Sequence, residues 1–140
     1  MDRKNQAPTP DSQQTPKTQP PTTPSPKAKP YDIRERTLQF ALRILDITAC
    51  IPDSPEGRVV RQQLAAAGTS IGANVEEADG AVSKADKRKS LTIARKETRE
   101  VRYWLRIIER RWVSLVAVAA GIVEAGELLN ILTTIISRLS

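Results

Sequence analysis

Leu91, Ala94, Thr98, Val101, Leu105, Ile108 and Trp112 recur at intervals of 3, 4, 3, 4, 3 and 4. An α-helix gathers such positions on one face, whereas a strand, with its period of two, would scatter them over both. The run predicts a helix over about 84–112, some 40 Å long at 1.5 Å per residue. An apolar stripe of that length has to be covered by other helices along its whole extent.

Three further segments carry the same period. After Pro30, Leu38, Ala41, Leu45 and Thr48 form one line and Phe40, Ile44, Ile47 and Ile51 a second, together a broad apolar face over about 32–51. Pro52 stops it. In IPDSPEG, Asp53 or Ser54 can cap a second helix over about 55–79, with Pro55 in its first turn and Glu56 complementing its dipole. The seam of that helix reads Val60, Leu64, Ala67, Ile71, Asn74 and Ala78. It therefore places an amide among apolar neighbours, as a register-fixing residue or a ligand. Gly68 and Gly72 permit close helix approach, and Gly80 is expected to end the helix in the left-handed conformation. Ser83 and Asp86 open the third helix. A fourth, over about 117–139, follows Val118, Ile122, Ala125, Leu129, Leu132, Ile136 and Leu139, widened by Leu128, Ile131 and Ile135. With short connections and no competing strand pattern, the expected fold is an all-α, antiparallel up-down-up-down four-helix bundle over residues 31–140.

Residues 1–30 do not belong to it. They hold eight of the ten prolines and almost no large apolar side chain, so they cannot offset the entropy of ordering and read as a disordered Pro/Thr/Gln-rich tail. PPTTP within it is at best a weak polyproline ligand.

Absences narrow the function. The chain has one cysteine and no histidine, which excludes a disulfide framework within it and the usual zinc, iron and haem ligand sets, and no cofactor is expected. The longest largely apolar run, Val113–Val123, is short of the roughly 20 residues of a membrane span. With no signal-peptide core either, the chain reads as cytoplasmic. Acid–base chemistry would have to rest on Glu76, Glu77, Asp79 or Glu100 alone, so no enzymatic activity is expected.

Charge is more informative. The net +6 is diffuse, but Lys84 to Arg111 holds eleven basic residues against Asp86, Glu97, Glu100 and Glu109, a surplus of seven. Arg95, Arg99, Arg102 and Arg106 follow one another at 4, 3 and 4 and so form a ridge beside the seam. Like charges at these spacings repel by a few tenths of a kcal/mol each. Carboxylates of the second helix, Glu76, Glu77 or Asp79, could neutralise them, as could the phosphates of RNA or DNA, with Lys84, Lys87, Arg88 and Lys89 adding to the grip. No base-reading motif accompanies them. Ile93, Tyr103, Trp104 and Ile107 are assigned to another flank, either part of a wide core or a surface for homo-oligomerisation.

The stretch SIGANVEEADGAVSKADKRKSLTIARKETREVRYWLR resembles the bacterial four-helix-bundle proteins first noted as products of intervening sequences in large-subunit ribosomal RNA genes. The pattern Ser-Ile-x-Ala-Asn-x-x-Glu is met by Ser70, Ile71, Ala73, Asn74 and Glu77. Ile-Ala-x-Lys-Glu-x-x-Glu and Tyr-Trp-Leu are met by Ile93, Ala94, Lys96, Glu97 and Glu100 and by Tyr103, Trp104 and Leu105. That family is similar in fold to the accessory variability protein of diversity-generating retroelements, a five-membered barrel of bundles that works with a reverse transcriptase and its RNA. The resemblance implies a homo-pentamer that binds nucleic acid and partners a reverse transcriptase. The polar run Lys87, Arg88, Lys89 replaces an aromatic residue the family often places early in the third helix, and the proline-rich tail is no family feature.

Overall fold

The computed structural model describes residues 32–139, so the tail assigned to 1–30 lies outside the described residues. Four helices follow in order: α1 (Ile33–Thr48), α2 (Pro55–Asp79), α3 (Lys84–Arg111) and α4 (Val116–Ser137). Each packs against its neighbours in the chain, and α4 closes against α1, while the backbones of the diagonal pairs stay apart. This is the up-down-up-down bundle, with α3 seated between α2 and α4.

Local chemistry sets the ends. The Ser54 side chain accepts from Gly57 N–H at 3.0 Å, and Ser83 accepts from Asp86 N–H at 3.1 Å. Both caps satisfy donors that have no partner within the helix. At Gly57 a Cβ would stand 2.0 Å from the Pro52 carbonyl oxygen, so the turn into α2 admits no side chain there. Gly80 corrects an expectation. It ends α2 at φ −89°, its N–H donating to the Glu76 carbonyl at 3.2 Å, and no described residue has positive φ. The helical hydrogen-bond pattern runs on into the loop, and no left-handed cap is needed.

The α3 seam is buried from Leu91 to Ile108, with Trp112 partly buried against it. Thr98 enters this apolar line because its hydroxyl donates to the Ala94 carbonyl at 2.7 Å and is thereby satisfied. In α2 the seam shifts after Ile71 to Val75, which is buried, leaving Asn74 half-buried at the edge. Positions three and four after Ile71 both lie near the core face of a 3.6-residue helix, and the apolar Val75 takes the buried place ahead of the amide. The Asn74 amide donates within its own helix, to the Ser70 carbonyl at 2.9 Å and the Ser70 hydroxyl at 3.1 Å.

Of the two apolar lines of α1, one is turned to the core. Phe40, Ile44, Ile47 and Ile51 are buried, whereas Leu38 and Leu45 face outward. A Cβ on Gly68 would lie 2.6 Å from an Ile44 methyl, so α1 and α2 meet at van der Waals distance there. In α4, Val118, Gly121, Ala125, Leu128, Leu129, Leu132 and Ile136 are buried. By length and composition α4 could cross a membrane, contrary to the expectation from Val113–Val123 alone. Its interior face is nevertheless the fourth wall of the core, and Glu124 and Glu127 interrupt its outer side.

Those two glutamates tie α4 to α1. Arg36 donates through Nε to Glu124 Oε2 and through Nη2 to Glu124 Oε1, both at 2.7 Å, and Nη2 also reaches Glu127 Oε1 at 2.6 Å. The Arg36 side chain is 28% exposed and Glu124 14%, so the fork is shielded from water. These hydrogen bonds, that to Glu124 foremost, raise the guanidinium pKa further above its usual range, against the opposing effect of burial. Arg36→Leu leaves the Glu124 carboxylate half-buried without its donor, and is expected to lower unfolding free energy by about 1–3 kcal/mol in urea titration. A change within error of zero would show that the fork does not hold α1 to α4.

Candidate nucleic-acid interface

Each basic residue singled out in the sequence has a definite place. Arg88, Arg95 and Arg102, spaced by seven, are half-buried and lie toward α4. Arg88 Nη2 donates to the Leu139 carbonyl at 3.0 Å, while its buried Nε has no hydrogen-bond partner. Arg95 Nη1 is 3.5 Å from Thr133 Oγ1, and the Arg102 guanidinium passes over Gly126, 3.8 Å from where a Cβ would stand. Their stems cover apolar surface of the α3–α4 seam. Arg99 and Arg106 form a second row and are exposed, as are Lys84 and Lys89. The ridge is thus two rows, one laid along α4 and one facing outward. Lys87 joins neither; it lines a hollow of about 130 Å³ at the bundle end with Ile33, Val75, Leu91 and Ile135.

None of Arg95, Arg99, Arg102 and Arg106 makes an ion pair among the described residues. Of the carboxylates considered for that role, Glu76 and Asp79 are engaged elsewhere, whereas Glu77 makes no ion pair among the described residues. Glu76 and Asp79 lie 3.9 and 3.1 Å from Arg34 of α1, Glu124 and Glu127 hold Arg36, and Glu56 lies 3.6 Å from Arg111.

Arg110, passed over in the sequence, extends the outward row. It follows Arg106 by four residues, and that spacing was the available signal. Tyr103 and Ile107 also change company. They share a hollow of about 390 Å³ with Arg106, Arg110 and Arg111, so they border the outward arginines. Trp104, by contrast, is half-buried against the core, its indole N–H donating to Glu100 Oε2 at 3.1 Å. Ile93, half-buried, lines a second hollow of about 310 Å³ with Ala85, Arg88, Lys89 and Thr92. No group of three or more metal-ligating side chains exists among the described residues.

The pattern residues Ser70, Asn74 and Glu77 on α2 and Glu97 and Glu100 on α3 are exposed or half-buried, outside the core. Among them Glu97 is perturbed: desolvation pushes its carboxyl pKa up from 4.5, Glu100 adds to the rise and Lys96 opposes it.

Residues 29–133 match the family described as 23S rRNA-intervening sequence protein. The chain belongs to this family. A solved structure of a protein of unknown function from the S23 ribosomal protein family of Bacteroides thetaiotaomicron VPI-5482 is 32% identical. Its TM-score is 0.69, and the match covers 74% of this chain and 97% of that one. Among curated proteins none matches the chain. The family member thus has the expected four-helix architecture, and the resemblance carried by Ser70–Arg106 is borne out.

The raised Glu97 value has a consequence for stability. Between 4.5 and the folded value the native chain binds more protons than the unfolded one. The stability Glu97 contributes is therefore full below about pH 4 and is lost as pH rises through its folded pKa. Glu97→Gln is expected to melt above wild type at neutral pH, the gap closing toward about pH 4. A gap that is constant across this range would assign the effect to packing.

Proposed function

We propose that the protein is a non-enzymatic, oligomeric accessory factor that binds the backbone of RNA or DNA through the outward arginine row of α3. The observation that carries this reading is the lack of any ion-pair partner for Arg99 and Arg106 among the described residues, while Asp79, Glu124 and Glu56 are engaged by Arg34, Arg36 and Arg111. Guanidinium groups left open at repeating intervals suit a polymer of regularly spaced phosphates. The family description names an intervening sequence of 23S rRNA, which puts RNA first among the probes. A reverse transcriptase or other nucleoprotein component is the protein partner that fits this reading, in the cytoplasm.

Binding of this kind is governed by counterion release, with log K falling by roughly 0.9 per duplex phosphate neutralised for each decade of salt. Titration of short RNA and DNA against wild type and a folded Arg99→Glu, Arg106→Glu variant tests it. The variant is expected to bind more weakly and to show a salt slope shallower by about 2. Equal, salt-insensitive binding by both proteins overturns the proposal.

A homo-oligomer, a pentamer on the resemblance, is supported by α1. Leu38, Leu42 and Leu45 recur at i, i+4 and i+7 on its outward face and are 51%, 49% and 42% exposed. A helix apolar on both faces fits a second partner helix better than water. Trp104 and Ile93, half-buried in the protomer, have less free surface to offer than these leucines. Leu42→Lys, Leu45→Lys is expected to sediment as a monomer where wild type sediments as an assembly.

A second reading, a scaffold with no nucleic-acid site, draws on Glu77 and Glu97, which make no ion pair among the described residues. These could meet the arginine row of another copy. In that case the Arg99→Glu, Arg106→Glu variant would itself dissociate, whereas the nucleic-acid reading leaves its assembly intact.

A further inference from the structure

We infer that the outward face of α3 takes single-stranded nucleic acid, with an unstacked base on the ring of Tyr103 and flanking phosphates on Arg99, Arg106 and Arg110. The inference rests on the nucleic-acid reading above and specifies its ligand.

Tyr103 is 57% exposed, although it is flanked by cations. Arg99 precedes it by four residues, and Arg106 and Arg110 follow by three and seven, which places them about 6 Å below and about 4.5 and 10.5 Å above it along the helix axis. Trp104 supports the ring edge-on, with centroids 5.2 Å apart and planes at 67°. Tyr103 lines the hollow of about 390 Å³ together with Arg106, Ile107 and Arg110. Arg111 lines the same hollow but is spoken for, lying 3.6 Å from Glu56 and 5.9 Å from the Trp112 ring centre. Arg106 and Arg110 have no ion pair among the described residues.

A duplex presents phosphates and sugars to a helix lying across its backbone, and its base faces are hidden in the stack. Such a ligand would satisfy the arginines and leave the Tyr103 ring and Ile107 unmatched. A single strand offers both components at once, since each unstacked base has an exposed π-face and each linkage a charge. An exposed aromatic set between unpaired arginines is therefore matched to the single strand. Because every base has such a face, recognition tolerates sequence, consistent with the lack of base-reading side chains.

The experiment compares oligouridylate, oligothymidylate and RNA and DNA duplexes of equal length, on full-length wild type, Tyr103→Ala, Tyr103→Phe and the Arg99→Glu, Arg106→Glu variant. Wild type is expected to prefer single strands. Tyr103→Ala should lose roughly tenfold in single-strand affinity and Tyr103→Phe should restore it. Photo-crosslinking of a 4-thiouridine oligomer, mapped by mass spectrometry, should mark Tyr103. If duplex and single strand bind wild type alike and Tyr103→Ala is neutral, while the arginine variant fails to bind, the phosphate ridge stands and the stacking inference falls. If Tyr103→Ala dissociates the assembly, the ring belongs to a subunit contact and the inference also falls. If wild type binds none of the four ligands, the nucleic-acid reading fails and this inference goes with it.

Discussion

Burial of one stripe on α3 orders everything else. Leu91, Ala94, Thr98, Val101, Leu105 and Ile108 are covered by α2 on one side and α4 on the other, which fixes the rotation of α3 about its own axis. Once that rotation is set, the placement of the arginines follows. Those nearest the seam, Arg88, Arg95 and Arg102, have to lie against α4, and those one step further round, Arg99 and Arg106, have to face away. No polar contact needs to direct them. A sequence change that unseated the seam would scramble the charged surface as thoroughly as removal of the arginines themselves.

The charges are sorted by a second constraint. Helix α1 is short and meets α4 least extensively, so its two flanks are secured by cations: Arg34 toward Glu76 and Asp79 of α2, Arg36 toward Glu124 and Glu127 of α4. These contacts take up Glu76 and Asp79 of α2 and Glu124 and Glu127 of α4. The exposed pairs, Arg34 and Asp79 among them, add little stability by themselves. Their effect on α3 is larger, because they leave its outward row as a line of like charge. Repulsion at i,i+3 and i,i+4 spacings weakens an isolated helix by a few tenths of a kcal/mol per pair. The long buried seam tolerates that cost easily.

Much of this was legible in the sequence because period and punctuation are local properties. The seam of α3, the caps at Ser54 and Ser83, and the four-helix order depend on residues within one or two turns of one another. What escaped was rotational detail. Asn74 read as a seam residue because the positions three and four after Ile71 both lie near the core and the alternation named the wrong one, and Leu38 and Leu45 looked buried because the apolar face of α1 is wider than the part its neighbours cover. Gly80 read as a left-handed cap because composition shows what glycine permits, not what the following loop requires. The site was read less well than the fold. The row of arginines was visible, but its division into an inner and an outer line depends on where α4 lies, and the residues beside Arg95 and Arg102 are Thr133 and Gly126, far along the chain. Tyr103 was separated from the arginines although Arg106 and Arg110 follow it by three and seven residues on the same helix, a spacing the sequence carried.

The two unfinished surfaces of the protomer are different in kind, and that difference orders the events at them. The leucines of α1 are withdrawn from water by any well-fitting apolar partner, with a gain that depends little on salt. The arginines of α3 are neutralised by polyanions, with a gain that depends steeply on salt. Assembly through α1 would therefore persist under conditions where ligand at α3 had left, and each copy added would bring another arginine row into the same particle. Several weak rows held together bind a long strand far more tightly than one does, since the second contact is made at the high effective concentration set by the first. On the proposed function, the apolar face of the shortest helix and the charged face of the longest one would act in series, the first multiplying the second.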